Sequence, residues 1–266
     1  MKQTLLSIAF LATLAASASA GELRFSLAVR ETNNAAGTAI GANGGAAGTI
    51  EFVGRDPVAP QLDQKLVPAD GAWHAVSFNL NTELVRGFTG DGILTSTTGL
   101  GVFESLRIAN TTDGITRYKV YIDDVVNTVN GNPTTITDFE GFSVGTEALF
   151  QEPRFSGSTS AKLLMTPDIA RVTDSVAFAG AKSYETEFEF ISDIGTDTTS
   201  TGGNWVRLTT NGLANLPNPV IGVPGSATNT STVSMQIRVV AVPEPVSLAL
   251  VGLALGSVVT VARRRR

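Results

Sequence analysis

Residues 23–30 read LRFSLAVR, and their alternation decides the fold. Leu23, Phe25, Leu27 and Val29 fall on one side of an extended chain, and Arg24, Ser26 and Arg30 on the other. That is the period of two expected of a half-buried antiparallel strand. The alternation recurs in HAVSFNLN (Val76, Phe78, Leu80), YKVYIDDV (Tyr118, Val120, Ile122), YETEFEF (Tyr184, Thr186, Phe188, Phe190) and STVSMQIRVV (Val233, Met235, Ile237, Val239). Turn dipeptides punctuate these runs at Asp70-Gly71, Asp91-Gly92, Asp113-Gly114, Asn130-Gly131 and Asn211-Gly212. No segment between the chain ends sustains a capped 3.6-residue apolar period over about twelve residues. Each strand has one apolar face and needs a second sheet to bury it, so the sequence predicts an all-β antiparallel β-sandwich.

A polar stretch bearing Gly and Pro, NTVNGNPTTITD at 127–138, divides the strand-rich body. The first half, 21–129, ends in YKVYIDDVV; the second, 138–241, opens with ITDFEGFSVGTEALF, and 130–137 is the expected linker. Both phrases, with GAWHAVSFNLNTE and the GDGIL that follows it, resemble jelly-roll modules of carbohydrate-binding and galactose-binding-like proteins. Such modules begin near D-F-E and close on Y-I-D-D-V; here the closing phrase comes before the opening one. A faint echo between YETEFEFISD and LRFSLAVRET favours two modules, with one larger sandwich as the alternative.

The two ends give an address. MKQTLLSIAFLATLAASASA at 1–20 has a positive start at Lys2, an apolar core too short to span a membrane, and Ala18-Ser19-Ala20 before Gly21. Those are the parts of a signal peptide. At the other end, 242–266 carries Pro243-Glu244-Pro245, an uncharged run from Val246 to Ala262, and Arg263, Arg264, Arg265 and Arg266. As a helix the run is roughly 25 Å long, against a hydrocarbon core of about 30 Å, so it can just span. The arginines should stay cytoplasmic and the body outside. The order Pro-Glu-Pro, apolar span, basic cluster resembles the PEP-CTERM sorting signal. That resemblance implies recognition by an exosortase, a membrane-embedded cysteine transpeptidase, and release toward the cell surface or an exopolysaccharide matrix. A plain C-terminal transmembrane anchor is the alternative.

Composition fits export. Without Lys2, Glu244 and the terminal arginines the body keeps 14 basic and 23 acidic residues, a net −9 that argues against nucleic acid as a partner. With no cysteine there is no disulfide, thiol nucleophile or thiolate metal site.

Candidate chemistry is sparse. GFSVG at 141–145 matches a nucleophile-elbow string, but the chain's one histidine, His74, lies upstream of it. Glu185, Glu187 and Glu189 share a strand face at about 7 Å intervals, near the carboxyl separations of glycosidases. Without a cleft they read as an exposed face that discourages edge pairing. Trp73 takes the parity opposite Val76 and Phe78 and, like Trp205, is a candidate for stacking on sugar or for the core. His74, on the parity of Val76, reads as a partly buried structural residue. Asp123, Asp124 and Glu140 match the positions where the resemblance to jelly-roll modules implies a structural calcium; the bland reading is turn capping.

The expectation is an exported, non-enzymatic surface or matrix protein that binds polysaccharide through Trp73 or Trp205. It needs no cofactor apart from that candidate calcium. A glycan-active enzyme and a ligand-free structural protein are the alternatives.

Overall fold

A computed structural model describes residues 21–31, 49–58, 62–96, 98–111, 115–191, 204–210, 218–224 and 230–242. The signal peptide and the sorting signal, Pro243 to Pro245 and Arg263 to Arg266 included, lie outside the described residues. Among the described residues no helix is long and apolar enough to cross a membrane. The fold is all-β: two antiparallel sheets packed face to face as a β-sandwich.

The strands are β1 (Glu22–Glu31), β2 (Ile50–Val53), β3 (Lys65–Pro68), β4 (Asp70–Asn79), β5 (Val85–Gly87), β6 (Leu100–Asn110) and β7 (Arg117–Val129). After them come β8 (Asn132–Thr137), β9 (Leu163–Thr173), β10 (Ser183–Phe190), β11 (Trp205–Thr209), β12 (Val220–Gly222) and β13 (Ser231–Ala241). Among the described residues, one sheet of seven strands runs β11-β6-β1-β2-β5, with β12 also on β6 and β3 also on β1. The other, of six, runs β4-β13-β7-β10-β9, with β8 also on β7. All five alternating segments named above are strands, and their apolar sets meet in one core. Phe103 of β6 and Tyr184 of β10 pack from opposite sheets on Phe150, at 5.6 and 5.5 Å between ring centroids. The Tyr118 hydroxyl crosses the core to donate to Asn110 at 2.7 Å.

The expected division at 130–137 does not separate two bodies. Strand β13, from the far end of the chain, lies between β4 and β7 of the first half, and β11 and β12 both pair with β6. Each sheet therefore draws strands from both sides of 130–137. The stretch itself is a hairpin: Asn130 and Gly131, at φ 50° and 80°, make the tight turn between β7 and β8. Its polarity marks a solvent-facing strand, exposed through Thr135, with Pro133 accommodated away from the sheet centre.

A second local feature aims the site. Asp124, at φ 47°, and Val125 oppose the single residue Met235, a β-bulge between Ser234↔Val126 and Gln236↔Asp123. The extra residue lets Asp123 stay on the outer face of the six-stranded sheet while Val125 returns to the core.

Candidate ligand-binding face

The outer face of the six-stranded sheet collects residues that the sequence holds far apart. Antiparallel register places Trp73 of β4 opposite Arg238 of β13, and Arg238 opposite Tyr121 of β7. The same row continues through Glu185 of β10 to Arg171 of β9. All five side chains have the parity opposite to core residues such as Ile122, Tyr184 and Ile237. Four interstrand gaps of about 4.8 Å make the row roughly 19 Å long.

Its two ends differ in chemistry. At the aromatic end Trp73 is half-buried and packs edge-on against Phe178, with ring centroids 6.0 Å apart, and Phe178 is itself 48 % exposed. The Arg238 guanidinium lies 5.7 Å from the centre of the Tyr121 ring. Burial, then the nearby Glu185 charge, pushes the Tyr121 phenol above its ordinary range. At the charged end Glu185 is paired through Oε1 to Lys119 at 3.1 Å and through Oε2 to Arg171 at 3.0 Å. Glu187 is paired to Arg117 at 2.6 Å and to Lys119 at 3.3 Å. Burial opposes the Lys119 charge, but its hydrogen bond to Glu185 and the surrounding anionic field hold its pKa above the usual lysine value.

The glutamate strand is thus neither exposed nor at an edge. Strand β10 lies between β7 and β9, and Glu185 and Glu187 are buried beneath the cations of their neighbours. A glycosidase acid has to hold or release a proton. Here the oxygens of Glu185 and Glu187 are committed to cations.

Asp123 and Glu140 meet on one loop, the β9–β10 connection at 174–182, each through backbone amides. Asp123 Oδ2 accepts from Phe178 N at 2.9 Å and Ala179 N at 3.3 Å, and Oδ1 accepts from Asp124 N at 2.8 Å. Glu140 Oε1 accepts from Ala181 N and Lys182 N, both at 2.7 Å, and these amides hold its carboxyl below the usual range. Burial pushes Asp123 above its range despite the amides. The effect is to fasten the loop that carries Phe178 against Trp73. Asp124 serves as the bulge residue. Among the described residues no group of three or more His, Cys, Asp or Glu is placed to hold a metal.

The other candidates fall elsewhere. Trp205 is 2 % exposed on the outer face of the seven-stranded sheet, where the Arg107 guanidinium lies 4.6 Å from the ring centre and Phe52 and Phe88 pack edge-on. It is a buried structural residue, because Phe88 and the segment around Lys162 cover that face. A cavity of about 320 Å³ opens beside it between Phe88, Thr89, Ser158 and Arg207. Beneath, Glu104 accepts from Arg30 at 2.9 Å and Arg207 at 2.7 Å, while Asp63 pairs with Arg107 and, at 3.6 Å, with Arg55. His74 is half-buried and 3.0 Å from Asp70, which this hydrogen bond holds below the usual carboxylate range. GFSVG is a turn with Gly145 at φ 88°, and no α-helix follows it among the described residues.

Sequence reading missed Arg238, Tyr121 and Phe178. Parity alone places Arg238 opposite Ile237 and Val239, and Tyr121 opposite Val120 and Ile122. Bringing them beside Trp73 takes the pairing of β13 between β4 and β7. Comparison with known proteins returns no matching family model, no matching curated protein and no matching solved structure.

Proposed function

We propose that this is an exported bacterial surface or matrix protein that binds polysaccharide without chemical turnover on the Trp73 face of a jelly-roll-like sandwich. On this reading 242–266 is a PEP-CTERM tail that anchors the precursor in the inner membrane until an exosortase releases the body to the cell surface or matrix. The observation that carries the binding role is the half-open aromatic pair Trp73–Phe178, held by Asp123 and Glu140 in line with Arg238 and Tyr121. The apolar face of a pyranose stacks on such rings while its hydroxyls remain solvated. The ion pairing of Glu185 and Glu187 supports the non-enzymatic reading over a glycan-active enzyme.

Two measurements test the proposal. Intact mass of the protein from the native host should give a species beginning at Gly21 and ending near Pro243 to Pro245, absent when the transpeptidase is deleted. A membrane-bound protein still carrying Arg266 overturns the sorting role. Retardation in native gels containing the host's extracellular polysaccharide should be lost in Trp73→Ala; unchanged retardation overturns the binding face.

A further inference from the structure

Arg238 is placed to read the charge of the sugar. Its neighbours in the sheet are neutralised internally: Arg171, Arg117 and Lys119 each hold a glutamate, and Asp123 is surrounded by amides. No hydrogen bond or ion pair from a described residue reaches the Arg238 guanidinium, and its Nε is buried with no partner. A buried donor left unpaired is costly, and one that stays so calls for a ligand or a reason. The guanidinium is not loose, since it lies over the Tyr121 ring, one strand from Trp73. On the β4 side, Gly71 at φ 74° presents no side chain; a Cβ there would lie 3.9 Å from Arg238 Nη2. The result is a planar, unneutralised donor fork held over an aromatic ring, next to a half-buried indole.

The geometry points to a carboxylate-bearing pyranose, a uronate unit of an acidic polysaccharide, stacked on Trp73 beside Phe178 with its carboxylate paired to Arg238. This inference rests on the polysaccharide-binding reading above. A guanidinium fork matches a carboxylate in a bidentate, charge-assisted pair, and neutral hydroxyls use that geometry less well. The net acidic body repels a polyanion at long range, so recognition comes from this short contact, and salt that screens the repulsion leaves it standing.

The test is calorimetric titration of the protein recovered from its host with tetragalacturonate, tetramannuronate, their methyl esters and cellotetraose. At least one acid should bind about tenfold or more tighter than its own ester, which keeps the ring and removes the charge. Arg238→Gln should close that gap by weakening the acid to about the affinity of its ester, with the melting temperature near that of the wild type. Equal affinity for acids and esters, or a gap that survives Arg238→Gln, overturns the uronate inference. If binding is then still lost in Trp73→Ala, the polysaccharide reading stands. No binding of any oligomer, or wild-type binding by Trp73→Ala, overturns both.

Discussion

The outer faces of the two sheets use the same residue types and differ in what lies over them. On the seven-stranded sheet a tryptophan, arginines and carboxylates are sealed under Phe88 and the 156–162 segment; Arg207, Glu104 and Arg107 are all nearly inaccessible. On the six-stranded sheet, among the described residues, the aromatic corner of the row from Trp73 to Arg171 is covered by the loop that carries Phe178, and Trp73, Arg238 and Arg171 keep part of their surface exposed. Trp205 under Arg107 and Trp73 beside Arg238 are chemically alike. Cover makes the first pair part of the core, whereas the second is half-buried among the described residues.

Tryptophan replacement gives the largest expected contrast. Trp205→Ala should cost about 3–5 kcal/mol, the usual range for a buried aromatic, whereas half-open Trp73→Ala should cost about 1 kcal/mol. Urea unfolding of both variants measures the difference; equal costs would break the distinction between the faces. Of similar size, Glu104→Ala strands Arg30 and Arg207 in the interior and should cost about 3–5 kcal/mol. Arg238→Gln loses no ion pair and should stay within about 0.5 kcal/mol of wild type.

Asp123→Ala sharpens the comparison on the open face. It should cost about 1–3 kcal/mol and speed hydrogen exchange at the Phe178 and Ala179 amides, with little change at Thr209 on the covered sheet.

Acid titration should distinguish two carboxyls, the buried Glu51 and the half-buried Glu147. Burial first, and then the field of Glu31, pushes Glu51 up to about 7; burial and the adjacent Glu152 push Glu147 up to about 7. Both bind protons more tightly folded than unfolded. Their contribution is therefore full below about pH 4.5, the usual carboxylate value, and falls as pH rises through 7. Glu51→Gln and Glu147→Gln should each gain stability relative to wild type between pH 5 and pH 8, read from urea midpoints. A parallel pH profile would contradict the burial argument.

The smallest expected effect concerns calcium. Since Asp123 and Glu140 already accept backbone amides, adding calcium or chelator should leave the melting temperature unchanged. A rise with calcium would show that a site assembles at the loop.

Much of the sandwich is legible in local pattern. The alternation in residues 23–30 and in STVSMQIRVV gives strand and inner face, and Asn130-Gly131 gives a tight turn. What that turn connects is not legible, because a polar edge strand and a polar linker have the same composition. Nor is the insertion of β13 between β4 and β7, which joins residues more than 100 positions apart in the chain. The site follows that division. Trp73's outward parity can be read, but the cover over Trp205 comes from distant loops and leaves no local mark. The cations on Glu185 and Glu187 likewise come from register with β7 and β9.

The most direct test of the open face uses the chain's two tryptophans. Trp205→Phe keeps an aromatic ring in the covered stack and leaves Trp73 as the one indole reporter. Titrated with the host's extracellular polysaccharide, this variant should show a saturable change in Trp73 emission and protection of that indole from acrylamide quenching. Co-sedimentation with the polysaccharide while Trp73 emission and quenching stay unchanged would contradict the claim that this face binds it.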